Sequence, residues 1–390
     1  MSAGHATTSE GEPDDGSEGA AGAVRIPVLP ASAAQVLTAV RAAATPAVTV
    51  AEAATATGLS RPTVEVALDR LALLGLVSEL APDPGGRRMG RPARNYRFRP
   101  RAGHVLGLDI GKYKVLAVLA DLDGNVLATH RIEVDPAQPR KARLAATRAA
   151  AKAALAAADV THDRLWAVTA GTTGIVDREG RIKLSSALPE WTGLHLARSL
   201  GRTFACPVLV ENDCRLAAVA ERWLGVARSV DDVVYLLAGM RMGVGVLNGG
   251  VLQRGHNGSL GEIGALPELG WNTAPGHLVD DPDAESSEQA VTALIAAARA
   301  GDGAAAERIG RFLDAITLGT ATVALAFDPE LVVVGGGFSR ADDLVRDRVQ
   351  HALDTLCPMP PRVASSALGD DAVALGAVRV ALDHVEAQLA

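Results

Sequence analysis

From residue 104 onward the chain runs twice through one order of segments: three β-rich stretches, a helix and a further strand. In the first pass Val105–Ile110 and Val115–Asp121 are β-rich. Asp123-Gly124-Asn125 signals a hairpin turn, and Val126–Val134 is a third strand. Arg140–Ala158 is an Ala-rich helix and Leu165–Ala170 the next strand. The second pass has strands at Val233–Leu237, Gly243–Asn248 and Val251–Gln253, helices at Glu285–Arg299 and Ala304–Phe327, and a strand Leu331–Val334 entering Gly335-Gly336-Gly337. A helix over Val373–Leu389 closes the chain. The two passes do not align as sequence, so the repeat is one of architecture. It predicts an α/β fold of two lobes with a cleft between them, the first over 104–227 and completed by the helix at 373–389, the second over 228–371.

The segment ahead of this repeat has a different texture. Residues 31–101 hold ten Arg and five acids, a net charge of +5, while the whole chain is −7. A basic module on an acidic body points to a polyanion partner for that module alone. Ala33–Ala44, Val50–Thr57 and Arg61–Leu74 read as three amphipathic helices, and Asn95–Arg99 as a short strand. Thr57-Gly58-Leu59-Ser60 is a tight turn. Gly58 supplies the left-handed backbone that ends a helix. Ser60 is an N-cap, and Pro62 lies in the first turn, where a missing N–H costs nothing. Leu59, Val64, Leu68, Leu71 and Leu74 recur at helical spacing and face a core. Ser60, Arg61, Thr63 and Glu65 are left facing outward. Short polar and Arg groups at a helix N-terminus suit a recognition helix in the major groove.

A loop follows, Gly85-Gly86-Arg87-Arg88-Met89-Gly90-Arg91-Pro92-Ala93-Arg94, with four Arg and no acid. As a wing it would bring Arg87, Arg88, Arg91 and Arg94 to phosphates or the minor groove. Residues 31–100 therefore read as a winged helix-turn-helix for double-stranded DNA, with a helical oligomerisation module as the alternative. Residues 1–30 are Gly-, Ser- and acid-rich and are expected to be a disordered tail, and Pro100–Gly103 a linker.

Three scattered cysteines, Cys206, Cys214 and Cys357, argue against a disulfide framework and for a reducing cytoplasm. The chain does not open with a basic stretch and an apolar run, and no apolar run of membrane-spanning length lacks Gly or charge, so neither a signal peptide nor a membrane partner is expected.

Residues 104–390 resemble the ROK family (repressor, open reading frame, kinase). The resemblance is carried in order by VLGLDIG at 105–111, GTTGIVD at 171–177, LPEW at 188–191, VLVENDCRLAA at 208–218, LQRGHNGSLGEIG at 252–264, LVVVGGGFS at 331–339 and ALGDDAVALGA at 367–377. It implies a two-lobed actin-like ATPase (sugar-kinase-like) domain, cytoplasmic homodimers or homotetramers, and sugar or sugar-phosphate effectors. In family terms Asn212 and Asp213 match a sugar-contacting Asn and the general base, and Glu262 matches a sugar-binding Glu. A capping role for Asn212 and Asp213 at the helix that follows is an equally simple reading.

The departures matter more. Family kinases carry a first phosphate loop Asp-x-Gly-Gly-Thr; here it reads Asp109-Ile110-Gly111-Lys112-Tyr113. Their second loop, Gly-Thr-Gly-x-Gly, reads here Gly239-Met240-Arg241-Met242-Gly243. Large side chains replace the bare main chain that phosphate needs. The family zinc site, a His after Gly-Glu-x-Gly and a Cys-rich run, is replaced by Ala265 and a segment 266–288 without cysteine, so zinc is not expected. The expectation is thus a transcription regulator, a repressor, with no catalytic residue, cofactor or metal. The alternative is an active ATP-dependent sugar kinase with a DNA-binding extension.

Overall fold

The computed structural model describes residues 26–81, 94–280 and 287–390. The expected tail therefore lies mostly outside the described residues, but its last part departs from expectation. Ile26 and Leu29 pack against the core of the N-terminal module, while Val28 between them stays exposed.

The first module contains α1 (Ala31–Ala42), β1 (Val48–Thr49), α2 (Val50–Thr57), α3 (Arg61–Leu73), β2 (Val77–Leu80) and β3 (Asn95–Phe98). Helix α1 starts two residues earlier than its apolar pattern suggests, directly after Pro30. Thr49 and Glu52 form a reciprocal capping box at α2. Gly58 ends α2 at φ 70°, a left-handed geometry that most residues adopt only with strain. Ser60 caps α3 by accepting from the Thr63 N–H at 3.3 Å. Val64, Ala67, Leu68 and Leu71 of α3 are buried against Val36, Leu37 and Val40 of α1. The three strands pair antiparallel in the order β1-β3-β2.

A single 3₁₀ turn, Pro100–Ala102, leads into the first lobe. Its strands are β4 (His104–Ile110), β5 (Lys114–Asp121), β6 (Val126–Glu133), β7 (Leu165–Thr172) and, after a small ribbon of β8 (Ile175–Val176) and β9 (Ile182–Leu184), β10 (Val208–Asn212). Helices α4 (Arg140–Ala157), α5 (Leu196–Gly201) and α6 (Asp213–Trp223) intervene. The second lobe has β11 (Val233–Leu237), β12 (Gly243–Asn248), β13 (Val251–Leu252), α7 (Ser287–Arg299), α8 (Gly303–Phe327), β14 (Leu331–Gly335), α9 (Asp342–Leu356) and β15 (Arg362–Ser365). Helix α10 (Ala372–Leu389) closes the chain.

The two sheets run β10-β7-β4-β5-β6 and β13-β12-β11-β14-β15. Each has two antiparallel hairpin pairings and two parallel pairings. The repeat inferred from sequence is therefore present, with one more parallel strand per lobe. Strands β4, β7 and β14 are buried along their whole length, as parallel strands covered on both faces must be.

Helix α10 packs on the first sheet and against α6, while α6 also touches β11 and β12 of the second lobe. Gly376 allows the α6–α10 approach: a Cβ there would lie 1.9 Å from the Leu216 carbonyl oxygen. The N-terminal module rests on this same unit. Its core is continuous with Val378, Ala381, Leu382 and Val385 of α10. Arg41 of α1 pairs with Glu386 at 2.9 Å, donates to the Leu122 carbonyl and stacks over Phe98. Helix α8 is, among the described residues, the one helix long and apolar enough to cross a bilayer, and over half of its most apolar window is buried inside the protein.

Candidate functional site

Two regions gather the candidate residues. The first is the exposed side of α3. Ser60 and Arg61 are exposed and Thr63 partly so, on the N-terminal turn of the helix. Ser60 Oγ lies 2.8 Å from Thr63 Oγ1, so the two hydroxyls form one polar cap. Below them the same side exposes Glu65, Val66 and Arg70. Val66 is 71% exposed, as is Leu73 at the far end of the same helix, whereas Val64, Leu68 and Leu71 are buried. An apolar group beside Arg on such a face suits contact with a thymine methyl. The sequence reading missed it because periodicity assigns a Val next to Val64 no role.

Of the expected wing residues, Arg87, Arg88 and Arg91 lie outside the described residues. Arg94 is described, and it is engaged within the module. Its guanidinium is bidentate to Glu79 and also pairs with Asp69 at 3.0 Å, over the Tyr96 ring. Two carboxylates hold its pKa well above the usual value. Arg94 is thus a strut joining α3 to the strand pair, its charge already neutralised within the module.

The second region is a cavity of about 390 Å³ between the lobes. Asp109 at the end of β4 and Asp213 at the start of α6 line it from the first lobe. The loop Gly239–Arg241 and the turn at Gly336-Gly337 line it from the second. Asp213 is brought to the cavity as the sequence suggests. Asn212 and Glu262 are not among its lining residues. Asn212 instead caps α6: its Oδ1 accepts from the Arg215 N–H at 3.2 Å and its Nδ2 donates to the Gly174 carbonyl at 3.1 Å. The capping role therefore holds, and it uses both ends of the carboxamide. Glu262 is an exposed loop residue, yet burial of its carboxyl raises its pKa, opposed by the charge of Arg215 and aided by that of Asp213.

The first loop is closed upon itself. The Gly111 N–H donates to the Lys114 carbonyl at 2.9 Å, and buried Arg143 holds the carbonyls of Gly111 and Lys112. That glycine amide is spent within the hairpin. The Lys112 ammonium lies 5.4 Å from the centre of the Tyr113 ring.

Burial pushes the Asp109 carboxyl up to about 6, partly offset by Lys114, whose ammonium lies 3.6 Å away. Burial raises Asp213 too, opposed by the charge of Arg241. Carboxyls poised this way in a cleft are a mark of functional sites. They also give a test. Native Asp109 holds its proton more tightly than the unfolded chain, whose value is 3.8. Stability therefore falls as pH rises from about 4 to about 6 and stays lower above that. Asp109→Asn is expected to remove this slope and to gain up to about 3 kcal/mol at pH 8, since Lys114 keeps its bond to the Asp370 carbonyl. Urea unfolding at pH 4 and pH 8 measures it; pH profiles that stay parallel would refute the assignment.

A buried network behind the cleft was not singled out in the sequence. Glu211 and Arg215 pair at 3.0 Å with side chains only 4% and 2% exposed. Arg254 holds the other Glu211 oxygen. Arg215 also donates to the Gly258 carbonyl at 2.6 Å. The network ties the loop that carries Glu262 to the β10–α6 junction that carries Asp213. Its signal was the i,i+4 spacing of opposite charges in VLVENDCRLAA.

Comparison with known proteins fits this geometry. The model of the ROK family matches residues 105–276 and 278–384, and that of the MarR family matches residues 29–89. A glucokinase of Streptomyces coelicolor is 28% identical over 64% of this chain and 87% of its own length. A xylose repressor of Bacillus subtilis is 21% identical over 84% of this chain and 89% of its own. Among solved structures, a ROK family transcriptional regulator described as a homolog of the E. coli MLC protein superposes with a TM-score of 0.71 at 18% identity. It covers 92% of this chain and 96% of its own. A ROK family glucokinase from Streptomyces griseus, in complex with glucose and AMPPNP, superposes at 0.59 and 25% identity over 72% of this chain and all of its own. The glucokinase structure thus covers 72% of this chain, and the regulator structure covers 92%. The chain belongs to the ROK family, with a MarR-like winged helix-turn-helix joined to its two-lobed sugar-kinase-like domain.

Proposed function

We propose that the protein is a DNA-binding transcription regulator, a repressor, whose interlobe cleft takes a sugar-type effector and transfers no phosphoryl group. The observation that carries this reading is the open N-terminal turn of α3, with Ser60 and Arg61 exposed among the described residues. A homodimer with two-fold symmetry would present two such helices to a palindromic operator in the cytoplasm. Two relatives named xylose repressors, which match most of this chain, support the same reading.

The cleft is coupled to the reader by a short physical path. Asp213 begins α6, α6 packs on α10, and α10 carries Glu386, which holds Arg41 of the DNA-binding module. A ligand that binds one lobe arrangement better than another would shift the positions of the two α3 helices.

The test is fluorescence anisotropy against genomic fragments at several salt concentrations. Tight binding to a few fragments, weakening steeply with salt, is expected. Arg61→Ala should lose about 1–3 kcal/mol for the preferred fragment while binding to random DNA is unchanged. Absence of sequence preference in the wild type would refute the regulator reading. Equal weakening of all fragments by Arg61→Ala would refute base reading by that residue.

A further inference from the structure

The interlobe cavity contains a cation with an enclosed nitrogen that meets no acceptor among the described residues. Five Lys or Arg side chains line the cavity against three Asp. Several of the cations are engaged. Lys114 faces Asp109 and bonds the Asp370 carbonyl. Arg131 pairs with Glu133 and Asp370. Arg299 pairs with Asp343. Arg241 differs. Its Nη1 is enclosed by protein and has no hydrogen-bond partner among the described residues. Its charge reaches both Asp109 and Asp213, lowering each, but it is bonded to neither.

A guanidinium is always charged and only donates. Leaving one of its N–H groups enclosed and unmet costs on the order of 1–3 kcal/mol. The β11–β12 loop that carries it is anchored on each side by Met240 and Met242, which pack against the second-lobe core. The main chain that carries Arg241 is therefore held at the cavity wall. Across the cavity the two aspartates can only accept when ionised, so they need donors. The cavity as a whole asks for a ligand with hydroxyls on one side and an oxyanion on the other.

We propose that Arg241 is the anion contact of the effector site, and that the effector is a polyol bearing a phosphate or carboxylate group. This rests on the cleft being an effector site, as proposed above, and names the ligand chemistry it selects. An Arg fork matches such groups in a bidentate way that a Thr or Gly at this position could not. The ligand would bridge Arg241 of the second lobe and Asp213 of the first, so its binding would draw the lobes together.

Calorimetry on the full-length protein tests this with five probes: inorganic phosphate, glucose 6-phosphate, glucuronate, ADP and glucose. At least one anionic probe should bind at least tenfold more tightly than glucose. Arg241→Met should abolish that preference and Arg241→Lys should keep part of it. A preference retained in Arg241→Met overturns the proposal, as does glucose binding as tightly as every anion, or no anion binding at all. Tight binding of glucose 6-phosphate or glucuronate identifies the oxyanion as phosphate or carboxylate. Tight, Arg241-dependent binding of ADP alone overturns the polyol assignment. DNA binding by the wild type is measured in parallel. Its failure removes the regulator reading, whereas its success beside a failed anion result removes only this proposal.

Discussion

Replacing Arg215 with Met is expected to lower the free energy of unfolding by about 3–5 kcal/mol, because it leaves a buried carboxylate without its main partner. Glu211 would retain one cation, Arg254, whose side chain is 41% exposed, and the Asn212 N–H at 2.9 Å. The carbonyls of Gly258 and Leu260 would lose their donor as well. Methionine keeps most of the volume, so the loss reports charge and hydrogen bonding more than packing. Adding Glu211→Gln to Arg215→Met should recover part of the loss, since the stranded charge is then gone. Urea unfolding of the two variants measures both effects. A loss below about 1 kcal/mol for Arg215→Met would mean that solvent reaches the pair, as at an exposed ion pair. A double variant no more stable than the single one would place the cost in the Gly258 loop instead of in the stranded Glu211.

ATP-dependent phosphorylation of glucose or N-acetylated hexoses is expected to be no greater in the wild type than in Asp213→Ala. Kinases turn over at roughly 1–100 per second, so the difference between the two readings spans orders of magnitude. The retained Asp213 in the cleft is the observation that favours a kinase. Against it stand two loops. The Gly111 amide is bonded to the Lys114 carbonyl, and Met240 and Arg241 occupy the second loop. Phosphoryl transfer depends on positioning and charge stabilisation, so loss of both cradles removes most of the means of catalysis. The double substitution Lys112→Gly and Tyr113→Thr should remain inactive, because Arg241 is still present. A coupled assay for ADP release measures this. Turnover in the wild type above the Asp213→Ala control would establish the kinase, and turnover gained in the double variant would show that one loop alone limits activity.

Much of the architecture was legible because it depends on local patterns. The β-rich runs and long helices of both lobes lie within a few residues of where alternation and helical spacing put them. The turn at Gly58 and the cap at Ser60 were legible for the same reason. Shorter and more polar elements were not. Strand β15 has four residues, and α9 carries six charged side chains in the run DDLVRDRVQHALDTL. Neither shows a pattern strong enough to stand out before a neighbour supplies the buried face.

The site divides in the same way. The types of side chain in the cleft follow from the motifs: an acid at 109, an acid at 213, and a large cation where a glycine loop would bend around phosphate. Which of them meet does not. Asn212 and Asp213 are adjacent in sequence, but one is turned into the cap of α6 and the other into the cavity. Arg94 stands at the end of a basic loop, yet Glu79 and Asp69 capture it from elements 15 and 25 residues away. Arg241 and Asp213 come from different lobes, and only the closure of two sheets on a shared α6 brings their charges within reach. Periodicity, capping and composition act over a few residues along the chain, so the sequence alone sets the elements and the chemical inventory. Pairing of charges and enclosure of a cavity depend on segments distant in sequence, so they are decided only when the lobes pack.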